Sequence, residues 1–235
     1  MVRGSVFSAS LAALFFFAGM AFAAETSPPP DPTAKVQPVY VPPNRGAPVS
    51  RVGGGTRGAG GDETLVRVLA PEHTGLASRD QPTLYWYVSR AAARLAVVLI
   101  DDAAEMPLLE LEMVASAPAG IQSLQLAEHG IRLKPNVEYQ WSVALVIDPE
   151  QRSKDLLASG SIMYVPAPET MQAAVAAAKP EELPSVYAAA GYWYDAIDSI
   201  SILIGPAAGK SDLIGQRNAL LGQVGLAEVA SSPAP

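Results

Sequence analysis

The chain has 235 residues, of which 49% are hydrophobic, a formal net charge of −7 at pH 7 and no cysteine. The acidic balance argues against general nucleic-acid binding, which needs a basic surface to displace counterions. The lack of Cys excludes disulfides, thiolate zinc sites and Cys nucleophiles, so stability has to come from packing.

Residues 1–23 read as a secretory signal peptide: Arg3 gives the positive start, Leu11 to Phe17 the apolar stretch and Ala21-Phe22-Ala23 a small-residue cleavage site. Removing Arg3 leaves 15 basic against 23 acidic residues, a charge of −8, on a chain beginning near Ala24 and working in the periplasm or outside the cell. No later apolar run reaches the ~18 residues needed to span a bilayer, so no transmembrane segment is expected after cleavage. Export takes nucleoside triphosphates, nicotinamide cofactors and genomic DNA off the substrate list. No cofactor and no nucleic-acid partner is expected, and a small-molecule ligand is left open.

Residues 24–62 are rich in Pro and Gly, from Pro28-Pro29-Pro30-Asp31-Pro32 to Gly53-Gly54-Gly55. Such a stretch cannot bury enough surface to offset its ordering entropy, which predicts an extended or flexible arm. It carries Arg45-Gly46 and Arg51-Val52-Gly53-Gly54-Gly55-Thr56-Arg57. Consecutive glycines form nests of backbone N–H groups, and neighbouring arginines suit a carboxylate or phosphate. It is not a phosphate loop, lacking both the Lys-Ser/Thr ending and a preceding strand. The plainer reading is a linker whose glycines permit tight turns.

Over residues 63–166 short apolar runs recur about every ten residues with turn residues between them, the pattern of an antiparallel, immunoglobulin-like β-sandwich. Strands are predicted at 65–69, 83–88, 95–100, 107–114, 120–126, 138–147 and 158–165. The clearest puts Tyr139, Trp141, Val143, Leu145 and Ile147 on one face by period-two alternation. Ahead of it, Leu133-Lys134-Pro135-Asn136 followed by Tyr139 resembles the corner of fibronectin type III and related domains, which implies a Tyr hydroxyl bonded back to upstream backbone. Trp86 suits a core Trp of the facing sheet.

From 167 to 230 the spacing turns helical. An Ala-rich helix over 169–179 stops at Pro180. Val186, Ala190, Trp193, Ile197, Ile200 and Ile204 form one apolar stripe, along one helix or along two joined near Gly191. Ser211 or Asp212 caps a last helix carrying Leu213, Leu220 and Val224, so the tail is expected to be a helical hairpin, with 231–235 a disordered end. Gly191 to Ile197 resembles the turn and second-helix start of a tetratricopeptide unit, without a second copy near 34 residues away. Trp193 either docks the hairpin on the sandwich or offers an aromatic surface to a partner.

Catalytic chemistry has little footing. A Ser or Thr nucleophile needs a positioned base, and the chain has only His73 and His129, both in turn-like contexts expected to be exposed. Asp101, Asp102 and Glu105 lack the alternating ligands and glycine of a calcium loop. No catalytic residue and no metal site is assigned.

Taken as a set, Tyr40 to Pro48 with Arg51 to Gly58, Pro82 to Tyr87 around Trp86, Tyr139 and Trp141, Asp148-Pro149 with Arg152-Ser153, and Ala190 to Ala196 resemble the uncharacterised bacterial family catalogued as domain of unknown function 928. The resemblance runs from Tyr40 to Leu226 and implies a secreted protein with no assigned activity. The functional reading is a non-enzymatic exported module that meets a protein partner in the cell envelope through Arg45, Gly46, Arg51, Gly53, Gly54, Gly55, Arg57 and Trp193. The alternatives are carbohydrate or cell-wall binding by exposed aromatics among Tyr85, Tyr87, Tyr192 and Tyr194, and a hydrolase with its site between arm and sandwich.

Overall fold

A computed structural model describes Met1 and residues 37–43, 54–56, 64–101, 106–114, 117–205 and 210–231. Among these residues nine strands run in chain order as β1 Gly54–Thr56, β2 Thr64–Val68, β3 Gly75–Ala77, β4 Thr83–Val88, β5 Leu95–Asp101, β6 Leu109–Met113, β7 Gly120–Gln125, β8 Glu138–Leu145 and β9 Leu156–Tyr164. They form a four-stranded sheet ordered β1-β2-β4-β7 and a five-stranded sheet ordered β3-β9-β8-β5-β6. Pairing is antiparallel except for β3, which lies parallel to β9 with Gly75 opposite Ile162. Between β2 and β3 the chain therefore crosses from one sheet to the other. This is the immunoglobulin-like sandwich that the period-two rhythm predicts.

The inward residues alternate as that rhythm requires. Leu84, Trp86 and Val88 of β4 meet Val97 and Leu99 of β5 and Trp141 and Val143 of β8 in one buried core. The corner also forms: the Lys134 backbone N–H donates to the Tyr139 hydroxyl at 3.1 Å. The alternation stops earlier than expected, however. The β8 ladders with β5 and β9 end at Leu145, and the chain leaves the sheet toward the turn at Asp148. Ile147 is consequently exposed, while Ala144 and Val146 join Ala96 in a small separate cluster.

Among the described residues five α-helices follow: α1 Glu169–Ala177, α2 Leu183–Ala189, α3 Trp193–Ile204, α4 Ser211–Gln223 and α5 Ala227–Ala230. The apolar stripe is thus split between α2 and α3, and the break falls at Gly191, whose φ of 82° is a conformation L side chains rarely adopt. A Cβ there would also stand 3.0 Å from the Val41 carbonyl oxygen, so glycine lets residues 37–43 pass close by. The helices cover the outer face of the four-stranded sheet. Tyr85 and Tyr87, which point away from the sandwich core, are buried under them, and Arg67 of β2 pairs with Glu228 of α5. Val36–Pro235 forms one unit, so the tail is continuous with the sandwich. Among the described residues no helix is long and apolar enough to cross a membrane.

Candidate binding site

The start of α3 enters the sandwich. Trp193 is fully buried, with its indole N–H donating to the Leu69 carbonyl at 2.8 Å and its ring edge-on to Tyr40 at 4.9 Å. The Tyr194 hydroxyl accepts from the Trp141 indole at 2.8 Å and donates to the Ser161 carbonyl at 2.9 Å. Complete burial pushes this phenol far above its ordinary pKa, so it stays protonated and able to serve both bonds. A Cβ on Gly75 would sit 2.7 Å from the Tyr194 ring, so only glycine fits where that ring passes β3.

Residues 37–43 strap the outside of this joint. The Tyr40 backbone N–H donates to Gln223, and the Val41 N–H donates to the Ala188 carbonyl. The Tyr40 hydroxyl is hydrogen-bonded to His73 Nε2 at 2.8 Å, and the two rings stack at 5.7 Å. Burial lowers the His73 pKa against the opposing charge of Glu72 and raises that of Tyr40, so both groups are neutral at pH 7.

Within the first two turns of α3, two carboxylates fix the helix to the segment after β3. Asp195 accepts from the Ser78 backbone N–H and hydroxyl, each at 2.7 Å, and from Arg79 Nε at 3.3 Å. Asp198 accepts from Arg79 Nη2 at 2.5 Å and from the Tyr85 hydroxyl at 2.9 Å. Burial raises the Asp195 pKa, opposed by its bonds to Ser78 and by Arg79. The named oxygens are all engaged, so this network reads as a joint between elements and supplies no free general base.

Farther along, α3, α4 and α5 stand off the sheet and leave a groove of about 400 Å³ against β4 and β7. Tyr85, Tyr87, Ser201, Ile202, Ile214 and Arg217 contribute to its walls. Burial lowers the Arg217 pKa, and only the Tyr85 phenol acts against that effect. Arg217 Nε and Ser201 Oγ are both shielded from solvent without a hydrogen-bond partner.

The residues singled out from the sequence fall in different places. Gly54 and Gly55 lie in β1, paired with Val66 and Leu65 of β2, so this part of the glycine run is a strand. Arg45, Gly46, Arg51, Gly53 and Arg57 lie outside the described residues. Trp193 faces wholly inward. The expectation of exposed aromatics is corrected: Tyr85, Tyr87, Tyr192 and Tyr194 are all buried, the first two because the tail covers their sheet face. His129 is exposed as expected, but His73 is half-buried because Tyr40 stacks on it. Among the described residues no group of three or more His, Cys, Asp or Glu side chains is placed to hold a metal ion.

The residues that reading missed are Asp195, Asp198, Ser201 and Arg217. Their signal was polar residues inside apolar helix stripes. Asp195, Asp198 and Ser201 recur every three residues beside the isoleucines of α3, and Arg217 stands four after Leu213 and three before Leu220.

The fold and the joint together define a class: a two-sheet immunoglobulin-like sandwich whose core is completed by a helical tail. The family model described as Domain of Unknown Function (DUF928) matches residues 52–234, and the chain belongs to that family. No curated protein matches it.

Proposed function

We propose that the protein is an exported, non-enzymatic binding module of the cell envelope, meeting a protein partner through the Arg- and Gly-rich stretch between Tyr40 and Thr64. The observation that supports this is the anchoring of described residues at the start of that stretch and within it. At its start Tyr40 and Val41 are hydrogen-bonded to α4 and α2. Within it, β1 is paired with β2 and is the terminal strand of its sheet among the described residues. A terminal strand offers backbone donors and acceptors to an added strand, and the arginines add charge recognition of carboxylates. The acidic remainder of the chain makes a local basic stretch electrostatically distinct.

The test is chemical crosslinking and capture from envelope extracts with the full chain and with the Arg45→Ala, Arg51→Ala, Arg57→Ala triple variant. The variant is expected to lose its partner at least ~10-fold while keeping its melting temperature, as befits charges that act in recognition. A melting temperature lowered by about 5 °C or more would assign the arginines to the fold instead. Mass spectrometry of the exported chain checks the location, with an N-terminus near Ala24 as the expected result.

A further inference from the structure

Buried polar atoms in folded proteins nearly always have a hydrogen-bond partner, so two orphans lining one groove call for an explanation. The groove between the helical tail and the outer face of the four-stranded sheet holds such a pair, Arg217 Nε and Ser201 Oγ. Both are donors, and Arg has no acceptor capacity at all. Three other polar groups of the groove are committed elsewhere. The Asn218 amide donates to the Ala230 carbonyl at 2.7 Å, the Gln122 amide to the Pro118 carbonyl at 3.0 Å, and the Tyr85 hydroxyl to Asp198. No carboxylate among the described residues pairs with Arg217, whereas Asp195 and Asp198 are both met by Arg79. A half-buried guanidinium with its Nε shielded, lining the same groove as a hydroxyl whose one neighbouring polar group is the Tyr85 phenol and with no anion of the protein's own, has the complement of an oxyanion ligand.

The walls narrow the ligand class. Tyr85, Tyr87, Ile202 and Ile214 present aromatic and aliphatic surface, and the volume of about 400 Å³ lies at the small end of ligand sites. One cation matches one negative charge, which suits a carboxylate better than a phosphate dianion. We propose that this groove binds a carboxylate carried on a small apolar body, Arg217 and Ser201 holding the carboxylate oxygens and the tyrosine and isoleucine side chains enclosing the body. Such a group is found both in free organic acids and at the C-terminus of a peptide. Ile202, two-thirds exposed, marks the mouth from which a peptide would extend.

Isothermal titration of the full chain with 3-phenylpropionate, with N-acetyl-Ala-Val-Leu bearing a free C-terminus, and with the amide of each tests this. At least one acid is expected to bind saturably with Kd below ~1 mM, its amide at least ~10-fold more weakly. The preferred acid identifies the source, a free acid or a peptide end. Arg217→Gln is expected to weaken the preferred acid by at least ~10-fold, Arg217→Lys by less because the planar fork is lost while the charge stays. Ile202→Trp, at an exposed position where folding tolerates change, is expected to block the mouth and abolish binding even if Arg217→Gln fails to fold. The proposal is overturned if neither acid saturates below that concentration, if amides bind as well as acids, or if the Ile202→Trp protein binds like wild type.

Discussion

On the four-stranded sheet the outward residues of β4, Tyr85 and Tyr87, are buried under the helical tail, whereas the outward residues of β6 on the five-stranded sheet, Glu110 and Glu112, stand in water. Both strands keep period-two geometry, and both send their other face into the core. What differs is the neighbour that the rest of the chain supplies. One sheet is a middle layer with apolar groups on both sides, and the other is an outer wall with a wet face. A sandwich of this kind does not own its whole core, because part of it is delivered by residues after 190.

The largest break of that comparison is removal of residues 167–235. It uncovers Tyr85 and Tyr87 and takes Trp193 and Tyr194 out of the core. The truncated chain is expected to show no cooperative transition in urea followed by circular dichroism. A cooperative melt for that fragment would make the tail an appendage. A smaller, sharper test sets one hydroxyl at the joint against one charge on the wet wall. Tyr194→Phe leaves the Trp141 indole and the Ser161 carbonyl without their partner and is expected to lower stability by about 2–4 kcal/mol. Glu112→Gln disturbs only exposed ion pairs with Arg152 and Arg94 and is expected to stay within about 0.5 kcal/mol of wild type. Equal effects in denaturant titrations would erase the distinction between the faces.

The smallest effect is on the strap. Burial holds the folded His73 pKa below its ordinary value of 6.5, so the unfolded chain takes up a proton more readily than the folded one. The His73 contribution is complete above that value and is lost as pH falls from it toward the folded pKa. Asp195 has the opposite sign, because its raised pKa favours the folded state on acidification. The two are separated by comparing urea midpoints at pH 8 and pH 5 for wild type and His73→Gln. The drop on acidification is expected to be smaller in the variant, and an unchanged drop would place the pH dependence elsewhere.

Much of this layering is written in the strands. Thr83-Leu84-Tyr85-Trp86-Tyr87-Val88 has almost no polar alternation, which marks a strand covered on both faces, while Leu109-Glu110-Leu111-Glu112-Met113 alternates strictly. The corner at Tyr139 was legible because a tyrosine two positions into a strand has few other uses for its hydroxyl. β1 and β3 were not, since three residues are too few to display a period. The joint was half legible. Trp193 stood out, but Asp195 and Asp198 looked like ordinary polar interruptions, because their partners Ser78, Arg79 and Tyr85 are more than a hundred residues away. Arg217 was hidden for the same reason: an arginine in an apolar stripe reads as a snorkelling side chain until the groove around it is seen.

Because Tyr85 and Tyr87 are covered by helices that come more than a hundred residues later in the chain, the order of manufacture becomes a hazard. A ribosome working at 5–20 residues per second leaves roughly 5–20 s between the emergence of Tyr85 and that of Trp193. Throughout that interval Tyr85 and Tyr87 have no helix to cover them. The nascent chain therefore presents an adhesive aromatic flank until the last turns arrive, and such a flank favours association with other chains in the meantime.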